Sequence, residues 1–347
     1  MKVLLMMTTS CSLVTVGIVV LNREWIIDKM LASLQSQTYP HNRIFVLMVD
    51  GCSTDKTVEY AQRFLKKSDF NGYQIIIKKC TIPEGRNICI ERMRGDMLLF
   101  WDSDVIMEPK AIWELVKTMK KENAEIVSAH MFGIFVNSVD ELETKIKETA
   151  ATLKRKGSIY QSPRVGMGHT LISKKVFDFI RFDPDLTILE DFDFSVRARQ
   201  HGFKLIINEG IQTFDINIIR KDYSDIHINA PLKNALRGIR KKAYAQVMAH
   251  SFKITFKDMI VFFLENKRYT FYLGYIPAAI FSLYGILSTN VYFSIVFPTY
   301  FLLFTFWQIL RRGVNQGVKA IVRSILVGIP TSVWLLYYFI TCILLRE

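Results

Sequence analysis

The chain has 347 residues, half of them hydrophobic and 22% charged, with a net charge of +13 and a mean hydropathy of +0.19. That length suggests two units rather than one, and the hydropathy is high for a purely soluble protein. The positive excess could suggest a nucleic-acid partner, but it is densest at Lys233, Arg237, Arg240, Lys241, Lys242, Lys253 and Lys257, among Leu232, Leu236, Ile239, Tyr244, Val247 and Met248. A basic amphipathic stretch of that kind fits anionic lipid headgroups better, so no nucleic-acid partner is expected.

Residues 1–12 read as a leader. Thr8-Thr9-Ser10-Cys11-Ser12 interrupts the apolar run, and no small-residue cleavage site precedes Asn22, which argues against a signal peptide. Strands and helices then alternate. Leu13–Leu21 is rich in β-branched residues and predicts a strand. Trp25–Ser36 predicts a helix, with Ile26, Ile27, Met30, Leu31 and Leu34 on one face. There follow a strand at Arg43–Val49, a helix at Thr54–Lys67, a strand at Tyr73–Lys79, a helix at Arg86–Arg94, a buried strand at Met97–Trp101, a helix at Pro109–Lys121 and a strand at Glu125–Ala129. Such alternation predicts an α/β fold, a mostly parallel sheet with helices on both sides. In open sheets of this kind ligands bind beyond the carboxyl ends of the strands.

The residues at those strand ends are polar and acidic: Asn22-Arg23-Glu24, Asp50-Gly51-Cys52-Ser53-Thr54-Asp55 and Asp102-Ser103-Asp104. No GxGxxG follows the first strand and there is no GxxxxGK[ST], which disfavours dinucleotide dehydrogenases and P-loop enzymes. Asp102 and Asp104, at i and i+2 on an extended end, point to one side. They suit Mg2+ or Mn2+ bridging to phosphates, and equally an ordinary polar turn. Glu190-Asp191-Phe192-Asp193 opens an amphipathic helix, Phe192–His201, that stops at Gly202. Asp191 can be read there as an N-cap or as a general base acting on an acceptor hydroxyl, with Asp193 as its structural neighbour. Gly166-Met167-Gly168-His169-Thr170 allows close approach of backbone to a ligand. The five cysteines, Cys11, Cys52, Cys80, Cys89 and Cys342, form no CxxC or Cys/His metal spacing and suit reduced thiols.

From Tyr269 to Leu310 there is no Asp, Glu, Lys or Arg, a run roughly twice the ~20 residues that cross a bilayer once. Ser288-Thr289-Asn290 interrupts it as a turn, and Ser324–Leu345 is a second charge-free run. Three spans are expected, near 270–288, 291–310 and 324–345, after basic interfacial helices at 231–268. The connector carries Arg311, Arg312, Lys319 and Arg323 and no acid, which puts it, and the long N-terminal part, in the cytosol. The spans hold no charge, which argues against an ion or proton path.

Five segments in this order resemble inverting glycosyltransferases of family 2: VTVGIVVLNRE at 14–24, VLMVDGCSTDKTVEYA at 46–61, IPEGRNICIERMRGDMLLFWDSD at 82–104, GMGHTLISKKVFDFI at 166–180 and FDPDLTILEDFDFSVRARQHGFKL at 182–205. The second departs from the family's VDDGSTD at Gly51-Cys52. The resemblance implies a GT-A nucleotide-diphospho-sugar transferase fold over 13–230, followed by the transmembrane region at 269–347. It implies that Asp50 contacts the donor base beside Asn22. Arg86 and Asn87 would line the nucleotide pocket, and Asp102 would approach the ribose or the metal's water shell. Asp104 would bind Mg2+ or Mn2+ with Asp102, and His227 is the candidate third ligand. Asp191 would be the catalytic base, helped by Glu190, while Gly166, Gly168 and His169 would form the acceptor loop. The implied partners are a UDP- or GDP-linked sugar, a lipid-linked or glycan acceptor, and membrane lipids. No QxxRW follows the acidic segment, unlike processive cellulose or hyaluronan synthases. Elongation of a polysaccharide, modification of a protein and an inactive membrane scaffold are the competing functions.

Overall fold

The computed structural model describes residues 11–152, 157–186, 189–218 and 278–312. The chain divides into two units, Met1–Lys221 and Asp222–Glu347.

The first unit is built on nine strands: β1 (Val14–Val20), β2 (Ile44–Asp50), β3 (Gly72–Ile77), β4 (Met97–Trp101), β5 (Val105–Met107), β6 (Ile126–Val136), β7 (Ile159–Gln161), β8 (His169–Ser173) and β9 (Leu205–Ile218). They form one sheet in the order β3-β2-β1-β4-β8-β6-β9-β5, with β7 paired to β9. The half β3-β2-β1-β4 is parallel throughout. The other half is not. β8 runs antiparallel to both β4 and β6, and β5 and β7 run antiparallel to β9, while β6 and β9 are parallel. The sheet is therefore mixed rather than mostly parallel. The β-α alternation that predicts a parallel sheet is broken where β5 follows β4 with no helix between them, and β8 enters beside β4 without a crossover helix of its own.

Six helices belong to this unit: α1 (Ile27–Gln35), α2 (Thr57–Leu65), α3 (Ile82–Arg92), α4 (Ala111–Lys121), α5 (Leu142–Thr152) and α6 (Glu190–Gln200). The period of two along the strands gives the sheet two buried faces. Val14, Val16, Ile18, Val46, Met48, Leu99 and Trp101 pack in one cluster with Ile27, Met30, Leu31 and Leu34 of α1, Ala61 of α2 and Leu115 of α4. Phe45, Leu47, Val49, Leu98 and Phe100 pack in another with Cys89 and Ile90 of α3 and Phe194 and Ala198 of α6. Each fully buried aliphatic side chain contributes ~1.5–3 kcal/mol, so Leu31→Ala costs about 2–5 kcal/mol.

Of the helix starts that differ from the sequence expectation, two bear on the site. α3 begins at Ile82, four residues earlier than Arg86, because Thr81 and Glu84 form a reciprocal capping box with a proline in the first turn. α6 begins at Glu190, with Leu189 at the N-cap in the left-handed region, φ 62°. Asp191 therefore lies inside the first turn and is not the cap. The end at Gly202 is as expected, with φ 79°.

In the second unit the described segment forms helices α7 (278–287), α8 (Val291–Ser294) and α9 (Val296–Arg312). Residues 288–290 are a turn as expected, capped by Asn290, whose side chain accepts from the Tyr292 N–H. The stretch expected as one span at 291–310 is interrupted at Ile295. Among the described residues no helix is long and apolar enough to cross a membrane. Residues 231–268, the start of the first expected span and the whole of 324–345 lie outside the described residues. The described apolar side chains are largely exposed, among them Leu287, Tyr292, Leu303 and Leu310.

Candidate active site

The carboxyl ends of β2, β1 and β4 lie side by side, which gathers the polar segments after all three. The first two loops are stitched together. The Asn22 N–H donates to Ser53 Oγ (2.8 Å), and Asn22 Oδ1 accepts from the Thr54 N–H (2.9 Å). The Arg23 N–H donates to Thr57 Oγ1 (2.7 Å), and Glu24 accepts from the Lys56 N–H (2.9 Å). Asp50 is fully buried and accepts from the Ser53 N–H (2.8 Å) and Ser53 Oγ (2.5 Å). It still has lone pairs to spare, since a carboxylate offers about four acceptor sites. Asn22 sits in the left-handed region, φ 52°, which asparagine tolerates better than most residues. Burial alone would raise Asp55; hydrogen bonds from Thr57 and Glu24 outweigh it and hold Asp55 below the usual carboxylate range.

The end of β4 is different. Asp102 and Asp104 are only partly covered, and Asp104 pairs with Arg23 Nη2 at 3.3 Å. Burial is the main force on Asp104 and raises it; Arg23 pulls it down, while Asp102 and Asp215 push it further, to about 6. Asp215 stands on β9 opposite Val105. It too is raised, mainly by burial, against a hydrogen bond from Asn217. Gly168 backs onto this place: a Cβ there would collide with the Asp102 carboxylate, and its carbonyl accepts from the Asp102 N–H (3.0 Å). This is the close approach that glycine permits.

Arg86 joins this end to the start of α6. Its guanidinium donates to Glu190 Oε1 at 2.9 Å and reaches Asp102 Oδ1 at 3.5 Å, and lies over the rings of Phe100 and Phe182. Burial raises Glu190, Arg86 pulls it back, and Asp191 adds to the rise. Asp191 is half-buried, with Oδ1 accepting from the Phe192 N–H (2.7 Å). Asp193 is buried and paired with Arg197.

Two expected site residues are placed differently. The Asn87 amide makes two hydrogen bonds to the main chain of Phe182, at 2.8 and 2.9 Å. It clamps the segment under Arg86 rather than presenting a free amide to a nucleotide. His169 is the first residue of β8, opposite Trp101, and only 5% exposed, so only Gly166 and Gly168 of the expected acceptor loop lie in a loop. Burial pushes His169 down to about 4, opposed by Asp102, and its Nδ1 has no partner among the described residues. His227 lies outside the described residues. Arg23 and Asp215 are the participants that the sequence reading did not single out. The one signal for Asp215 is a carboxylate between Phe214 and Ile216 in an apolar strand.

Among the described residues no three His, Cys, Asp or Glu side chains are grouped closely enough to hold a metal ion. The donors nevertheless fit a cation that substrate completes. Mg2+ and Mn2+ sites commonly take one or two carboxylates and fill the remainder with water and phosphate. Asp102 and Asp104 are such a pair, partly exposed at the end of β4, each with a single ion pair among the described residues, to Arg86 and to Arg23.

Residues 15–180 match Glycosyl transferase family 2. That match covers just under half of the chain. The match ends before Glu190 and Asp191. Among curated relatives, the poly(ribitol-phosphate) beta-N-acetylglucosaminyltransferase TarS of Staphylococcus aureus is 26% identical over 179 residues, 51% of this chain and 30% of TarS. A dolichyl N-acetyl-alpha-D-glucosaminyl phosphate 3-beta-D-2,3-diacetamido-2,3-dideoxy-beta-D-glucuronosyltransferase of Methanococcus voltae is 26% identical over 200 residues, 55% of this chain and 62% of that protein. The match thus spans less than two thirds of either relative. Among solved structures, the mannosyltransferase PcManGT of Pyrobaculum calidifontis, determined with GDP-Man and Mn2+, is similar at a TM-score of 0.55 and 13% identity, covering 98% of this chain and 89% of its own. S. aureus TarS 1-349 with UDP gives 0.51 at 14% identity, covering 96% and 92%. These likenesses establish the α/β, GT-A-like mixed-sheet fold of this domain.

Proposed function

We propose that this chain is an inverting glycosyltransferase that takes a sugar from a UDP- or GDP-linked donor and passes it to a lipid-linked or membrane-proximal glycan acceptor. The observation that carries this reading is Arg86, which ties Asp102 to Glu190 and so draws the strand-end and helix-start carboxylates into one site. The stitched loops present Asn22 at the surface where a nucleoside would lie, with buried Asp50 fixing the Ser53 loop beneath it. Asp102 and Asp104 would hold Mg2+ or Mn2+, which supplies positive charge to the leaving diphosphate. Asp191 removes the proton of the acceptor hydroxyl as it attacks. Glu190, neutralised by Arg86, positions the first turn of α6. Attack opposite the leaving diphosphate inverts the anomeric centre.

The charge-free runs at 269–310 and 324–345 and the arginines between them support a multi-pass anchor with the catalytic domain in the cytosol. The exposed apolar side chains of 278–312 suit lipid contact. A dolichyl-linked substrate in the name of the Methanococcus relative favours a lipid-borne acceptor. A polymer acceptor is the second reading, favoured by the match to TarS.

Membranes holding the protein should turn over at least one of a panel of UDP- and GDP-sugars, with the rate dependent on Mn2+ or Mg2+. No transfer or hydrolysis of any donor would sink the enzymatic reading, and retention at the anomeric centre by NMR would overturn inversion. Transfer to a polyprenyl-linked glycan favours the first acceptor and transfer only to polymer the second. Release of the protein by alkaline carbonate would remove the anchor.

A further inference from the structure

We propose that Arg23 is a stand-in cation: its guanidinium holds Asp104, and it yields that carboxylate to the divalent ion and turns its donors to the diphosphate of the nucleotide sugar. This rests on the reading that Asp102 and Asp104 take the cation.

Arg23 is anchored at its backbone and under-satisfied at its tip. Its N–H is fixed on Thr57 Oγ1 at 2.7 Å, so the start of the side chain does not wander. Nη2 sits 3.3 Å from Asp104, while Nη1 reaches the Leu21 and Asn22 carbonyls only at 3.3 and 3.4 Å. Good N–H···O bonds fall near ~2.9–3.0 Å. Nε is buried and has no partner among the described residues. A guanidinium holds five donors in a rigid fork, and here most of that fork is poorly used. A diphosphate offers the bidentate acceptors it lacks.

Arg86 shows what a fixed arginine in the same site looks like. Its side chain is 6% exposed, paired with two carboxylates and covered by two aromatic rings. The Arg23 side chain is 36% exposed and can leave Asp104 without breaking a packed core. Among the described residues Arg23 is the one basic side chain paired with Asp104. A divalent ion arriving there must displace it, and the displaced charge then lies beside the incoming phosphates.

The exchange can be read without turnover. Mn2+ uptake by donor-free protein is followed through the EPR signal of free Mn2+, and UDP and GDP binding by calorimetry at saturating Mn2+. Arg23→Gln should bind Mn2+ about three- to tenfold more tightly, because the competing ion pair is gone, and should bind the nucleotide about tenfold more weakly. Arg23→Lys keeps the charge and loses the fork, so Mn2+ affinity should stay near wild type while nucleotide affinity falls. Lys78→Gln removes an equal charge elsewhere and should leave Mn2+ affinity unchanged. Mn2+ binding in Arg23→Gln no tighter than wild type, or tightened equally by Lys78→Gln, overturns the inference alone. Wild-type protein that takes up no Mn2+ even with UDP or GDP present overturns the cation reading and the inference with it. If Arg23→Gln does not fold, Arg23→Lys decides: unchanged nucleotide affinity contradicts the exchange, and weakened affinity with Mn2+ uptake intact supports it.

Discussion

The loops after β1 and β2 and the end of β4 are neighbours in one sheet, yet they solve opposite problems. In the first, Asn22, Asp50, Ser53, Asp55 and Thr57 satisfy one another at 2.5–3.0 Å, and Asp55 is held below the usual carboxylate range. In the second, Asp104, Asp215 and Glu190 are all pushed above it by burial that their partners do not offset. The first region is finished before substrate arrives. The second carries surplus negative charge that folding alone does not relieve. Such a site lowers stability in exchange for function, and a cation with a diphosphate supplies what it lacks.

Substitutions should separate the two regions. In the unfinished region they should damage turnover and spare the fold. Asp191→Asn is expected to lower kcat by ~10²–10⁴-fold with little change in donor KM; a full rate removes Asp191 as the base. Asp104→Asn should lower the rate at least ~10²-fold and leave what remains insensitive to added Mn2+, as read by a cation titration of initial rates. In the finished region the damage should be to stability. Thr57→Val strands the Arg23 N–H and takes from Asp55 its hydroxyl donor, leaving the Thr57 and Glu24 backbone N–H bonds, and should cost about 1–3 kcal/mol in a denaturant melt. Its acid side should change as well. A depressed carboxylate contributes stability that is present above its ordinary 3.8 and lost as pH falls through its lower folded value, so the variant should lose part of that acid limb.

Asp215→Asn is the smallest effect and has the opposite sign. A raised carboxylate binds more protons folded than unfolded, so wild type loses stability as pH rises from 3.8 through the raised value. The variant should melt about 1–3 °C higher than wild type at neutral pH, and the difference should vanish below pH 3.8. A gain that persists in acid would mean that charge is not its cause.

Much of this was legible because it is local. The strands β1 to β4 announce themselves by β-branched and apolar runs, and the polar residues that follow them mark the site. The start of α3 lies four residues before the one expected, although its signal is local, the capping box Thr81-Ile82-Pro83-Glu84. What stayed hidden depends on pairing across the chain. Nothing in His169–Ser173 says that it will enter antiparallel between β4 and β6. The position of Asp191 inside its helix follows from the left-handed Leu189, a conformation that propensity would not assign to leucine. The Arg23–Asp104 pair joins two motifs far apart in sequence, each of which reads as complete alone.

The contrast between a finished and an unfinished region is tested most directly by nucleotide binding with and without a cation. UDP and GDP should be titrated into wild type and into Asp102→Asn/Asp104→Asn, in EDTA and in Mn2+. Wild type should bind one of them measurably in EDTA through the first region, and at least about tenfold more tightly in Mn2+. The double variant should bind at least as tightly as wild type in EDTA, since Arg23 is freed and two like charges are gone, and should gain nothing from Mn2+. Equal affinity for wild type in EDTA and Mn2+, or an undiminished Mn2+ gain in the double variant, would contradict it.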